Sequence, residues 1–122
     1  MEKSSLGIVL FGHGSRDPLW HLPMQAVAQR IGALNPGVLV QCAYLELTQP
    51  DLPTATLSLM AAGAKFITVV PLFLGVGKHA REDLPVLVNS LQLQHPTVTF
   101  KLQCAVGEDP RLIDQLARIA IS

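Results

Sequence analysis

The chain has 122 residues, of which 49% are hydrophobic and only 15% charged. That length suits a single domain spanning residues 1–122, large enough to fold without disulfides or a structural metal, and the composition excludes intrinsic disorder. Nine basic side chains balance nine acidic ones, which argues against a nucleic-acid partner, since such proteins carry a basic excess.

Low charge and zero net charge give weak protection against self-association, so the composition hints at an oligomer with an apolar interface. Cys42 and Cys104 stand alone in apolar runs, with no CxxC pair, and no cysteine-based zinc site is expected. Two reduced, buried thiols are the expectation, with one disulfide as the alternative. Met1 to Ser5 lead straight into an apolar run that stops at Gly12. That run is too short to span a membrane, and it lacks a signal-cleavage pattern. A cytoplasmic protein without a membrane partner is therefore expected.

The first element is Leu6 to Gly12, a continuous apolar run of the kind buried on both faces of a parallel sheet. A glycine-rich loop follows, Gly12-His13-Gly14-Ser15-Arg16-Asp17-Pro18. Asp17-Pro18 reads as an N-cap with proline at the first helical position. The helix after it carries Trp20, Met24, Val27, Ala28 and Ile31 at helical spacing and stops at Asn35-Pro36-Gly37. Val38 to Leu45 is a second strand, and Asp51 to Gly63 a second helix, capped by its aspartate and ended by its glycine. Phe66 to Leu72 is a third strand. A long loop, Phe73 to Ala80, leads to a helix over about Arg81 to Gln94. Val98 to Leu102 is the fourth strand, and Asp109-Pro110 opens a last helix through Ile121. Alternating strands and helices predict an α/β, three-layer domain: a mostly parallel four-stranded sheet with helices on both faces.

Ligands of such sheets bind beyond the carboxyl ends of the strands. There the first strand delivers His13, the second Glu46, and the third a loop holding His79. Two imidazoles and a carboxylate from separate segments suit a divalent first-row metal. Each has a plain structural alternative. His13 can serve an unusual backbone turn, Glu46 can cap or pair near the second helix, and His79 can be a solvated loop residue. His21 on the first helix and His95 before Pro96 are assigned no catalytic role. The first loop lacks GxGxxG, GxxxxGK[ST] and GxSxG. His13 beside Arg16 leaves a phosphohistidine-type phosphotransferase or phosphatase as a rival, although the RHG order of such enzymes is absent.

HGSRD at 13–17, YLELTQPDL at 44–52 and PLFLGVGKHAREDLP at 71–85, in that order, resemble the short form of the CbiX/SirB class II chelatases, the sirohydrochlorin cobalto- and ferrochelatases. The resemblance implies ATP-independent insertion of a divalent metal, cobalt or else iron or nickel, into a sirohydrochlorin-type tetrapyrrole. It implies no organic cofactor; the metal is a substrate. His13 and His79 would be metal-binding and catalytic, with Glu46 a third participant. Because the substrate is rich in carboxylates, Arg16, Lys78 and Arg81 become candidate substrate contacts, and Gly75 and Gly77 would let the His79 loop move around a flat macrocycle. Longer relatives carry two such halves, so a homodimer is expected here. A non-catalytic metal- or tetrapyrrole-binding module is the third reading.

Overall fold

The computed structural model describes residues 5–122; Met1 to Ser4, the start of the stretch read above as leading into the apolar run, lie outside them. The run Leu6–Gly12 forms strand β1. Strand β2 (Leu39–Tyr44) lies on one side of it, β3 (Phe66–Pro71) on the other, and β4 (Thr99–Leu102) beyond β3. All three pairings are parallel. A central parallel strand is covered on both faces and needs apolar residues at successive positions. Accordingly Val9, Leu10 and Phe11 are each no more than 2% exposed.

Helices α2 (Leu52–Ala61) and α3 (Lys78–Gln94) cover one face of the sheet. Their Leu52, Ala55, Leu59, Leu84, Val88 and Leu91 join Val9, Phe11, Ile67 and Val69 in one apolar core. Burying each large member contributes roughly 1.5–3 kcal/mol. Helix α1 (Leu22–Leu34) packs on β1 and β2, with the Met24 sulfur against the open side of Gly12 on the opposite face. Helix α4 (Pro110–Ile121) ends the chain. Among the described residues, no helix is long and apolar enough to cross a membrane.

The aspartate caps act as the sequence predicts. The Asp51 carboxylate accepts the Thr54 N–H at 2.9 Å, and that of Asp109 accepts the Arg111 N–H at 2.9 Å. Hydrogen bonding from Arg111 holds the Asp109 carboxyl down at about 2. Asp51 is likewise lowered from its ordinary value of 3.8, by its hydrogen bonds from Thr54. A carboxyl held below its unfolded value stabilises the fold fully above that unfolded value and loses the contribution as pH falls through the folded one. Asp51→Ala should therefore cost about 1 kcal/mol at neutral pH, and thermal melts should show the gap to wild type closing below pH 3.8.

Four readings of the sequence are corrected. The first helix does not run unbroken from Pro18. A 3-10 turn, Pro18–His21, comes first, and α1 starts at Leu22 with Pro23 in its first turn, where a missing N–H costs nothing. The predicted stripe is only partly covered: Met24, Ala28 and Ile31 are half-buried, whereas Val27 is exposed and Trp20, in the 3-10 turn, is 73% exposed. Helix α3 starts at Lys78 rather than near Arg81, so His79 stands in a helical first turn and not in a loop. Cys104 is exposed and Cys42 half-buried, and both are free thiols rather than a buried pair.

Candidate active site

The ends of β1, β2 and β3 are tied together by backbone hydrogen bonds that continue the sheet past its last residues. The Leu45 N–H donates to the Gly12 carbonyl at 2.9 Å, and the Glu46 N–H to the His13 carbonyl at 3.1 Å. The Leu72 N–H donates to the Phe11 carbonyl at 2.8 Å. His13 and Glu46 are thus adjacent through their backbones, and both side chains are exposed. Gly14 has φ +95°, and a β-carbon there would run into the Glu46 carbonyl oxygen. Only glycine satisfies both conditions, so the Gly-His-Gly turn is a device for presenting His13 beside the Glu46 backbone.

Phe73, just beyond β3, lies against His13 and lines a cavity together with His79. It is 4% exposed, and its ring lies 4.4 Å from the His13 imidazole, centroid to centroid, at 34°. Phe73 also borders a small cavity of about 190 Å³ with Phe11, Leu45, Asp83, Leu84 and His79. On its other side His13 opens into a larger cleft of about 830 Å³, with Trp20, His21, Met24, Tyr44 and Leu74. Burial pushes the Tyr44 phenol up, and neighbouring Cys42 raises it further. The Cys42 thiol is itself raised by burial. Both groups are therefore uncharged at neutral pH. Among the described residues, no three His, Cys, Asp or Glu side chains cluster closely enough to hold a metal ion.

A family model described as CbiX matches residues 7–120. The chain belongs to the CbiX family. Its fold is that of a CbiX protein from Marinobacter aquaeolei VT8, at 32% identity and a TM-score of 0.79, covering 93% of this chain and 92% of that one. It also superposes on a cobalt complex of the sirohydrochlorin chelatase SirB from Bacillus subtilis subspecies spizizenii, with a TM-score of 0.77 and 24% identity. That match takes in 93% of this chain but 49% of the Bacillus chain. A sirohydrochlorin cobaltochelatase from Methanococcus aeolicus is 33% identical over 87 residues, which is 71% of this chain and 61% of the relative. The chain thus spans less than two thirds of the length of this relative and of the sirohydrochlorin cobaltochelatases from Methanococcus maripaludis and Methanocaldococcus jannaschii.

The cations of this CbiX chain do not share one environment. Arg16 is exposed on the first loop, and Lys78 is exposed at the first position of α3. Arg81 instead reaches away to Glu108 at 2.7 Å, bordering a separate cavity with Leu102 and Cys104. Gly75 and Gly77 have open space where a β-carbon would stand and no left-handed φ, so the backbone does not require glycine at either.

Three lining residues carry no signal in the CbiX sequence strong enough to assign them. Phe73 directly follows a strand, and Tyr44 ends one; position at a strand end marks them as wall candidates, although only the fold shows which way they turn. His21 reads as a surface or partly buried helix residue rather than a ligand. In the structure its ring lies 4.5 Å from that of Tyr44, centroid to centroid. Its Nε2 is buried without a hydrogen-bond partner among the described residues.

Proposed function

We propose that this chain inserts a divalent metal, cobalt or else iron or nickel, into a sirohydrochlorin-type tetrapyrrole in the cytoplasm, working as a homodimer without an organic cofactor. The observation that carries the reading is the placing of two histidines at the strand ends of a CbiX-family fold, His13 with its ring on Phe73 and His79 lining a cavity that Phe73 also lines. The sirohydrochlorin cobaltochelatase name of the Methanococcus aeolicus relative supports the choice of substrate.

The chemistry suits these groups. Insertion removes two pyrrole N–H protons and strips water from the metal. A neutral imidazole offers a lone pair to the metal or to a proton. Ligation by one or two groups leaves metal positions open for the incoming pyrrole nitrogens. Holding both reactants in one cleft supplies proximity. Apolar and aromatic walls (Phe73, Trp20, Leu74) suit the face of a macrocycle, and its carboxylates would meet Arg16 and Lys78. Among the described residues these two form no ion pair, whereas Arg81 is engaged by Glu108. The open space at Gly75 and Gly77 would leave the approach to His79 clear. A flat substrate needs two walls, and a second copy of the same strand-end surface would supply the other. Two-fold pairing is the commonest symmetry of soluble homo-oligomers.

Sirohydrochlorin mixed with Co²⁺ and the purified protein tests this by absorbance. Many equivalents converted per chain supports a chelatase. Saturation at one equivalent would mean a binding module, and no spectral change would sink the tetrapyrrole reading. Glu46 gives a finer prediction. As a ligand or proton acceptor, its change to glutamine should cost on the order of 10²-fold in rate, with little effect on melting, since its side chain is exposed. A loss confined to stability, measured on the same preparation, would reduce Glu46 to a support of the loop.

A further inference from the structure

Among the described residues two surfaces lack partners, and they complement each other. In α4, Ile113, Leu116 and Ile119 recur at three-residue intervals and are 54%, 41% and 61% exposed. From Pro110 to the end of the chain Leu112 alone is half-buried, and every other residue is exposed. The polar side of the helix is already satisfied within itself, because Arg118 pairs with Asp114 at 2.8 Å and Arg111 with Asp109 at 2.6 Å. A helix with one apolar face is built to lie on something, and twelve residues are too few to hold a helix alone in water. Within its own chain α4 packs mainly on the 3-10 turn Val106–Glu108 that leads into it.

The matching gap is in the sheet. Val9, Phe11, Ile67 and Val69 point to the core shared with α2 and α3. Residues between them point to the other face, because side chains alternate along a strand. On that face α1 covers β1 and β2, where Leu10 is 2% exposed. Over β3 and β4 the same face presents Phe66, Thr68 and Val70, with Thr99 and Lys101 in register beside the first two. Phe66 is 54% exposed, Thr99 and Lys101 are exposed, and Thr68 and Val70 are half-buried. Helices normally cover both faces of a parallel sheet. Two strands about 4.8 Å apart leave room for one helix of roughly 10 Å diameter.

We infer that α4 of each copy docks on the uncovered β3–β4 face of a second copy, so that the dimer is joined by exchanged helices. The inference rests on the two-copy reading above and names how the copies hold each other. The occupant follows from the chain itself. Each copy carries one unpartnered helix and one helix-wide gap, and a two-fold axis satisfies both at once. Its own α4 is held elsewhere. The Gly107 N–H donates to the Phe73 carbonyl at 2.9 Å, with the Gly107 backbone hard against that of Leu74. This anchors the start of α4 at the end of β3, from which it projects into solvent.

Sedimentation velocity on wild type and on Leu116→Glu/Ile119→Glu provides the first arm of the test. Both residues are exposed within one chain, so the variant should keep its circular dichroism and fall from twice the chain mass to one. The second arm stays informative if that variant fails to fold. Phe66→Cys and Ile119→Cys are placed in separate copies lacking Cys42 and Cys104, mixed, and treated with a short bis-maleimide. A covalent heterodimer is expected. Cross-linking within one chain carrying both cysteines, at monomer mass, would overturn the exchange. So would a variant that remains dimeric, and in that case the two-copy reading survives. A wild-type monomer would overturn both.

Discussion

Replacing either His13 or His79 with alanine should lower metal insertion by at least about 10²-fold and leave the fold almost untouched. The expectation of an intact fold comes from exposure: neither imidazole belongs to the apolar core, and both are exposed at the strand-end edge. His13 loses only its ring contact with Phe73, and His79 only its place over a small apolar cavity. The catalytic loss should be large because alanine offers no lone pair to a metal or a proton. Turnover by absorbance and a thermal melt on the same preparation are sufficient. Normal turnover by either variant would remove that histidine from the mechanism. Loss of turnover with collapse of the melt would make its role structural.

Gly14→Ala should damage both stability and activity. The position has φ +95°, where a β-carbon costs about 1–2 kcal/mol. The added methyl would also meet the Glu46 carbonyl, so the loop must move off the Glu46 backbone, whose N–H holds His13 in place. A loss of about 2 kcal/mol or more should lower Tm by roughly 10 °C in a domain of this size. Turnover should fall further than the folded fraction does, because the displaced group is His13. Gly75→Ala is the control for stability. With open space and an ordinary φ, it should melt within about 0.5 kcal/mol of wild type. Equal melts for the two variants would mean that the Gly14 turn relaxes without strain.

What the sequence revealed, and what it hid, divides by the range of the interaction. Leu6 to Gly12 reads as a strand of a parallel sheet because burial on both faces leaves nowhere for a polar residue. Asp51 and Asp109 read as caps because capping acts over two or three residues, and both hydrogen bonds are present. The end of the second helix is legible in Gly63, which has φ +108°. The start of α3 is hidden because Gly75 and Gly77 resemble loop residues and its buried positions begin only at Leu84. The position of His79 on that helix follows from the same error. The approach of His13 to Phe73, that of His21 to Tyr44 and the ion pair that turns Arg81 away are contacts between distant segments. No local pattern encodes them. The α4 periodicity announces a helix but is silent on what covers it.

The order of the strands governs how this chain must be born. Leu6, at the start of β1, pairs with Phe66, and β1 is the innermost strand together with β3. A ribosome therefore releases the middle of the sheet first and must make β3 before that middle is closed. Until then Val9, Leu10 and Phe11 have at most one neighbouring strand, and parallel pairings across long stretches of chain form slowly. Chains stalled before Phe66 would expose an apolar strand edge, the kind of surface that aggregates or recruits chaperones.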